Sequence, residues 1–198
     1  MSLELLNTVG TLTTIVIVAA TAIAALVQLR HLRAGNQINA MLTIGEELGS
    51  KEFRDASQLL SQKMSAAMDD PAFREFNNAV DRGDFPSNPN PGHVELRTAA
   101  LLVGNAFEEL GILVKHGIVD KDVFLDRWRN VVVRNWTRLE SSTALGRAAT
   151  GQDAMWENFE YLAVISEDWM KHHASAYPTG VRRMCLVNRW PIASPATP

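Results

Sequence analysis

Cysteine is nearly missing from this chain of 198 residues, occurring once at Cys185. No intrachain disulfide can form, which excludes a small secreted scaffold held by bridges. A reactive thiol would need a base or a helix N-terminus beside it, and although Arg182 and Arg183 are near in sequence, Cys185 reads as an ordinary thiol in a loose tail. A basic surplus is missing too: 19 Lys and Arg stand against 22 Asp and Glu, a net charge of −3. Nucleic acid is therefore not expected as a partner. Tyrosine is sparse, with two against five Trp and seven Met. No run alternates apolar and polar residues between turn signals, so no strands are expected. Phosphate loops, dinucleotide fingerprints and Gly-x-Ser-x-Gly elbows are absent, and no cofactor is expected.

The most informative absence is charge between Leu5 and Leu29, a run without Asp, Glu, Lys, Arg or His. As a helix the run is about 37 Å long. That exceeds a hydrocarbon core of about 30 Å, so residues 9–29 read as a transmembrane helix. A cleaved signal peptide needs a basic start, a shorter apolar core and small residues at its exit. Here the start carries Glu4 and the exit is Leu26-Val27-Gln28-Leu29. Arg30, His31 and Arg33 follow directly, and basic residues beside a span stay on the cytoplasmic side. The expected order is a short extracytoplasmic segment (1–8), the span (9–29), a cytoplasmic helical domain (30–176) and a disordered tail (177–198) containing Pro. The expected location is the inner (plasma) membrane, crossed once. Arg30 and Arg33 stand at headgroup level, where each basic residue gains about 1 kcal/mol from anionic lipid.

The rest of the chain reads as all-α, a bundle of about five helices. The anchor's apolar period continues through Ile38, Met41, Leu42 and Leu48, so little or no break is expected. Ser50 caps a second helix whose first buried residue is Phe53, and Asp70-Pro71 starts a third that ends near Arg82-Gly83. The stretch Gly83 to Gly92, rich in Pro and Gly, is a loop. A helix over about Val94 to His116 follows, with Ala99, Leu102, Val103, Ala106, Leu110, Leu113 and Val114 inward and Gly117 as its stop. Asp120 caps the next helix after a short turn, implying an antiparallel hairpin that forms the core. Its buried face is Phe124, Leu125, Trp128, Val131, Val132, Trp136 and Leu139. Ser141 to Gly151 reads as a looser stretch before a last helix with Met155, Phe159, Leu162, Ile165 and Trp169 inward.

Candidate chemistry is thin. A di-metal bundle needs Glu-x-x-His on each of two helices, and neither Glu109 nor Glu157 has His three residues on, so no metal is expected. His31, His93, His116, His172 and His173 include no pair spaced to share a helix face. His116 reads as a helix-end dipole contact. Gly104 to Gly111 lies within an apolar-faced helix and cradles no phosphate. Arg127, Arg129, Arg134 and Arg138 read as a solvated face partly paired with Glu157, Glu160, Glu167 and Asp168 rather than as an anion site. The echo between Glu46-Glu47-Leu48-Gly49 and Glu108-Glu109-Leu110-Gly111 does not extend to the flanks and reads as coincidence. Within the span, Asn7, Thr14, Thr21 and Gln28 recur every seven residues, and Thr11, Val18 and Ala25 fill the same stripe. Small and hydrogen-bonding residues repeated in this way suit a seam between membrane helices.

Several segments, in this order, resemble a known family. They are ATAIAALVQLRHLRAGNQINAMLTI, Phe107-Glu108-Glu109-Leu110-Gly111 with ILVKHGIVD, Trp156-Glu157-Asn158-Phe159-Glu160-Tyr161-Leu162, and Ala176-Tyr177-Pro178. Together they are similar to the uncharacterised, mostly bacterial proteins of the domain of unknown function numbered 4760. The resemblance implies an N-terminal membrane helix and a helical cytoplasmic domain, and brings no activity, ligand or catalytic residue. The expected function is a membrane-tethered helical module, non-enzymatic, that binds a protein partner or itself. The alternative is a membrane-surface enzyme, whose candidate site residues are Glu108, Glu109, Arg127 and Glu160.

Overall fold

A computed structural model describes residues 3–173, 177–187 and 190. Among them it has six α-helices and no strand. The helix formed by the uncharged run does not end at the basic residues that follow it. Helix α1 (Leu3–Leu48) continues as one helix of 46 residues, about 70 Å long. Its described side chains are exposed as far as Asn36, and packing begins at Gln37 and is complete at Ile44 and Leu48. The anchor and the first helix of the bundle are thus the same helix.

Side-chain caps set most of the remaining starts. Ser50 Oγ accepts from Phe53 N at 3.0 Å and opens α2 (Lys51–Asp69). Asp70 Oδ1 accepts from Ala72 N at 2.9 Å and opens α3 (Pro71–Asp81). Helix α4 (Pro91–Lys115) begins earlier than Val94, because Asn90 Oδ1 accepts from Gly92 N and Pro91 fits the first helical turn. Gly117, at φ 66°, ends it as expected. Asp120 Oδ1 accepts from Asp122 N and Val123 N and opens α5 (Lys121–Thr150). The loose stretch expected from Ser141 is a correction: α5 stays helical through Thr150 and stops at left-handed Gly151. Thr143 and Gly146 are buried there, so tertiary packing holds a segment with weak local preference. Helix α6 (Glu157–His172) closes the bundle, and Met155 lies in the turn before it rather than within it.

The expected hairpin of α4 and α5 is not the core by itself. Helix α6 packs against both more extensively than they pack against each other, while α2 covers the far side of α4. At the centre Phe107 and Phe159 stack with ring centroids 4.7 Å apart. Phe53 meets Phe107 edge-on, and Trp136 meets Phe159 the same way. Phe124, Leu125, Val132 and Leu139 are buried as expected, whereas Trp128, Val131 and Trp136 are half-buried and Leu102 is exposed. After α6, the described part of the tail is exposed, with Tyr177 donating its hydroxyl to the Arg182 carbonyl. The remainder of the tail expected past Ala176 lies outside the described residues, as do residues 174–176.

Candidate functional site

Two of the segments that carry the family resemblance meet in space. Glu108 of α4 reaches the start of α6, where its Oε2 accepts from Asn158 N at 3.0 Å and from Phe159 N at 2.9 Å. Its Oε1 accepts from Asn158 Nδ2 at 2.6 Å. Helix α6 has no cap from its own Trp156, which is left-handed at φ 53°. A carboxylate from another helix therefore takes the free N–H groups and faces the positive end of the helix dipole. Lys115 Nζ donates to Asn158 Oδ1 at 3.2 Å, and Trp156 Nε1 donates to Asn105 Oδ1 at 3.0 Å. Gly104 and Gly111 lack the Cβ atoms that would strike the Trp156 indole and the Asn158 backbone. The glycines do cradle something: the entry of α6 into the bundle.

Glu160, Arg127 and Glu109 occupy contacts separate from this one. Glu160 pairs with Arg147 at 2.7 Å, and Arg147 also donates from Nε and Nη2 to the Met155 carbonyl. Arg127 is exposed with its guanidinium 4.8 Å over the Trp128 ring. Glu109 is exposed, and its charge lies close enough to Glu47 to act on it. Glu47 is itself exposed, and its partial desolvation, with the Glu109 charge second, raises its pKa from the ordinary carboxylate value. One residue of each echoed Glu-Glu-Leu-Gly segment, Glu47 and Glu109, is thus near enough for their charges to interact, which the sequence likeness gave no reason to expect. The expected pairing of Arg127, Arg129, Arg134 and Arg138 with acids of α6 is corrected, the α5 arginine that does pair with one being Arg147. Arg129 sits over the Trp169 ring, Arg134 Nε donates to the Asn130 carbonyl, and Arg138 turns to Ser57 on α2.

Two of the clefts beside α5 bear on the surfaces named from the sequence. One, of about 370 Å³, lies between α1 and the start of α5 and is largely apolar, lined by Ile38, Met41, Leu42 and Val123. The other, of about 320 Å³, lies between α2 and α5, with Arg54, Arg134 and Arg138 in its walls. On α1 itself, Asn7, Thr11, Thr14, Val18, Thr21, Ala25 and Gln28 are exposed, as are Arg30, His31 and Arg33. Thr11, Thr14 and Thr21 donate their hydroxyls to the carbonyls one turn back, at 2.8–2.9 Å.

Fold and surfaces together define a helical bundle carried on one long helix that is apolar and long enough to cross a membrane. The chain belongs to the family described as Domain of unknown function (DUF4760), which matches it over residues 15–169. The match begins inside the apolar half of α1 and ends in α6, so the long helix is part of the family's domain rather than an addition to it. No curated protein and no solved structure matches the chain.

Proposed function

We propose that the protein is a membrane-tethered interaction module that associates with a second copy of itself along α1. The supporting observation is an apolar stripe that outlasts the span. Because α1 is unbroken, the seven-residue repeat of the span continues through Leu32, Gly35, Asn39 and Leu42. Leu32 and Leu42 remain 64% and 61% exposed, as does Ile38 beside them at 62%. Past residue 29, Leu32, Ile38 and Leu42 keep apolar surface exposed on this face, with Gly35 and Asn39 between them. The cleft against α5 lies beside Ile38 and Leu42, and exposed apolar surface marks an interaction site. A seven-residue period winds two such helices into a left-handed pair, and Gly35, which has open space where a Cβ would stand, permits close approach. The threonine hydroxyls already serve their own helix as donors, so shape and small side chains carry the seam inside the bilayer. The membrane-surface enzyme finds less support, because Glu108, Glu109, Arg127 and Glu160 are engaged in separate contacts.

Disulfide crosslinking tests this, with single Cys substitutions from Thr11 to Leu42 in a Cys185→Ser background in native membranes. The expected yield has a period of about 3.5 residues, with maxima at Thr14, Val18 and Thr21 that continue through Leu32, Gly35 and Leu42. Uniform or absent crosslinking reduces α1 to an anchor and overturns the proposal.

A further inference from the structure

We infer that the cleft between α2 and α5 binds the phosphate group of a soluble phosphorylated small molecule. Three guanidinium groups line it: Arg54 from α2, and Arg134 and Arg138 one turn apart on α5. No carboxylate lines it, and among the described residues none of the three arginines has an acidic partner within 4.0 Å. That is unusual in a chain whose acids outnumber its bases. Concentrated like charge without a counterion costs stability unless something neutralises it. The pKa of Arg138 bears this out, lowered first by burial and then by Arg134.

The polar lining fits an oxyanion. Arg138 Nη1 makes only long bonds, each 3.3 Å, to the Ser57 carbonyl, Ser57 Oγ and Asn135 Oδ1. Asn135 is buried and held by Ser57 Oγ and the Val131 carbonyl, so one wall is fixed before any ligand arrives. Ser61 adds a hydroxyl at the rim, and Trp128, on the same wall, keeps a buried indole N–H without an acceptor. Guanidinium forks match phosphate oxygens two at a time, which a lone ammonium does not. The volume of about 320 Å³ holds a phosphate with a small organic body, and Phe53 and Val131 offer that body an apolar side. A lipid headgroup presents the same chemistry. The cleft, however, opens beside Leu48, about 28 Å along α1 from the end of the expected span at Leu29. That distance favours the soluble source.

The experiment uses the full chain in neutral phosphatidylcholine nanodiscs, titrated with pyrophosphate as the probe. Calorimetric binding and Tm are followed against sodium chloride of equal ionic strength. Saturable binding with a raised Tm is expected. Arg134→Gln with Arg138→Gln should weaken it about tenfold or more, as expected for lost charge-assisted bonds. The Tm of that variant without ligand should equal or exceed the parent's, because two like charges are gone. The charge-matched pair Arg82→Gln with Arg129→Gln, which lies outside the cleft, should bind as the parent does. No saturable binding by the parent, or equal loss in the two double variants, overturns the site. Repeating the titration in discs containing phosphatidylglycerol separates the sources. Unchanged affinity upholds a soluble ligand, and competition by the lipid overturns that source in favour of the headgroup.

Discussion

Glu108 shows how one side chain joins two elements that lie far apart in sequence. Its carboxylate stands in for the cap that Trp156 does not supply, so Glu108→Ala leaves the first N–H groups of α6 unpaired in a partly buried place. A loss of about 1–3 kcal/mol is expected from chemical denaturation. Gly104→Ala should cost about 1–3 kcal/mol by a different route, forcing a methyl into the Trp156 indole. The centre of the core is the Phe107–Phe159 stack, so Phe159→Ala should cost about 3–5 kcal/mol. Trp128→Ala and Trp136→Ala, which periodicity alone ranks as equally central, should cost less because both rings are half-buried. Equal losses at all three positions would contradict that ranking. Glu47 gives a pH signature. An acid with a raised pKa in the folded state adds stability below its unfolded pKa, and that stability is lost as pH rises through the raised value. Glu47→Gln should therefore raise Tm at neutral pH, by no more than about 1 kcal/mol of stability after solvent screening. The gain should vanish in acid, below the ordinary carboxylate pKa, and shrink when Glu109→Gln is already present.

At the scale of elements, the helix starts marked by Ser50, Asp70 and Asp120 were legible because each cap is a local bond between a side chain and a backbone N–H two or three residues on. The same kind of bond at Asn90 was hidden by the surrounding prolines and glycine, which read as loop. What sequence could not show is what distant packing decides. Residues 141–150 contain Ser, Thr and Gly and look weak as a helix. Yet Gly146 lies where a Cβ would meet Met155 Sδ at 2.8 Å and Asp81 Oδ2 at 3.1 Å, and Asp81 is itself paired with Arg97 at 2.7 Å. The last turns of α5 are thus fixed by α3, α4 and the turn before α6. The left-handed stop at Gly151 gives a check: Gly151→Ala should cost about 1 kcal/mol or more, because a Cβ resists that conformation. A variant as stable as the parent would mean that the turn does not need glycine. The candidate surfaces divide in the same way. Periodicity revealed the α1 stripe, whereas the arginine cleft needs α2 and α5 side by side, and the chain order of Arg54, Arg134 and Arg138 gives no hint of it.

For the whole molecule, the continuity of α1 makes orientation the property on which both proposed surfaces depend. A flexible linker would let the bundle sit at any angle to the apolar segment, but an unbroken helix joins the two directly. Ile44 and Leu48 are core residues of the bundle and also lie in the last turns of α1. If α1 spans a membrane and pairs as proposed, a change in its tilt would reach the bundle at Leu48, which lines the cleft between α2 and α5. Which side receives it depends on the flanks. Arg30, His31 and Arg33 follow the uncharged run, while Glu4 is the charged side chain before it, and acidic residues count little in setting orientation. The bundle is accordingly expected in the cytoplasm. A cytoplasmic-type reporter fused after Pro198 should be active and a periplasmic-type reporter silent. Replacing Arg30 and Arg33 with Gln while adding Lys residues before Glu4 should invert the reporters in a measurable fraction of molecules. Activity of the periplasmic-type reporter on the unaltered chain would place the bundle, and both surfaces proposed on it, on the opposite side of the membrane.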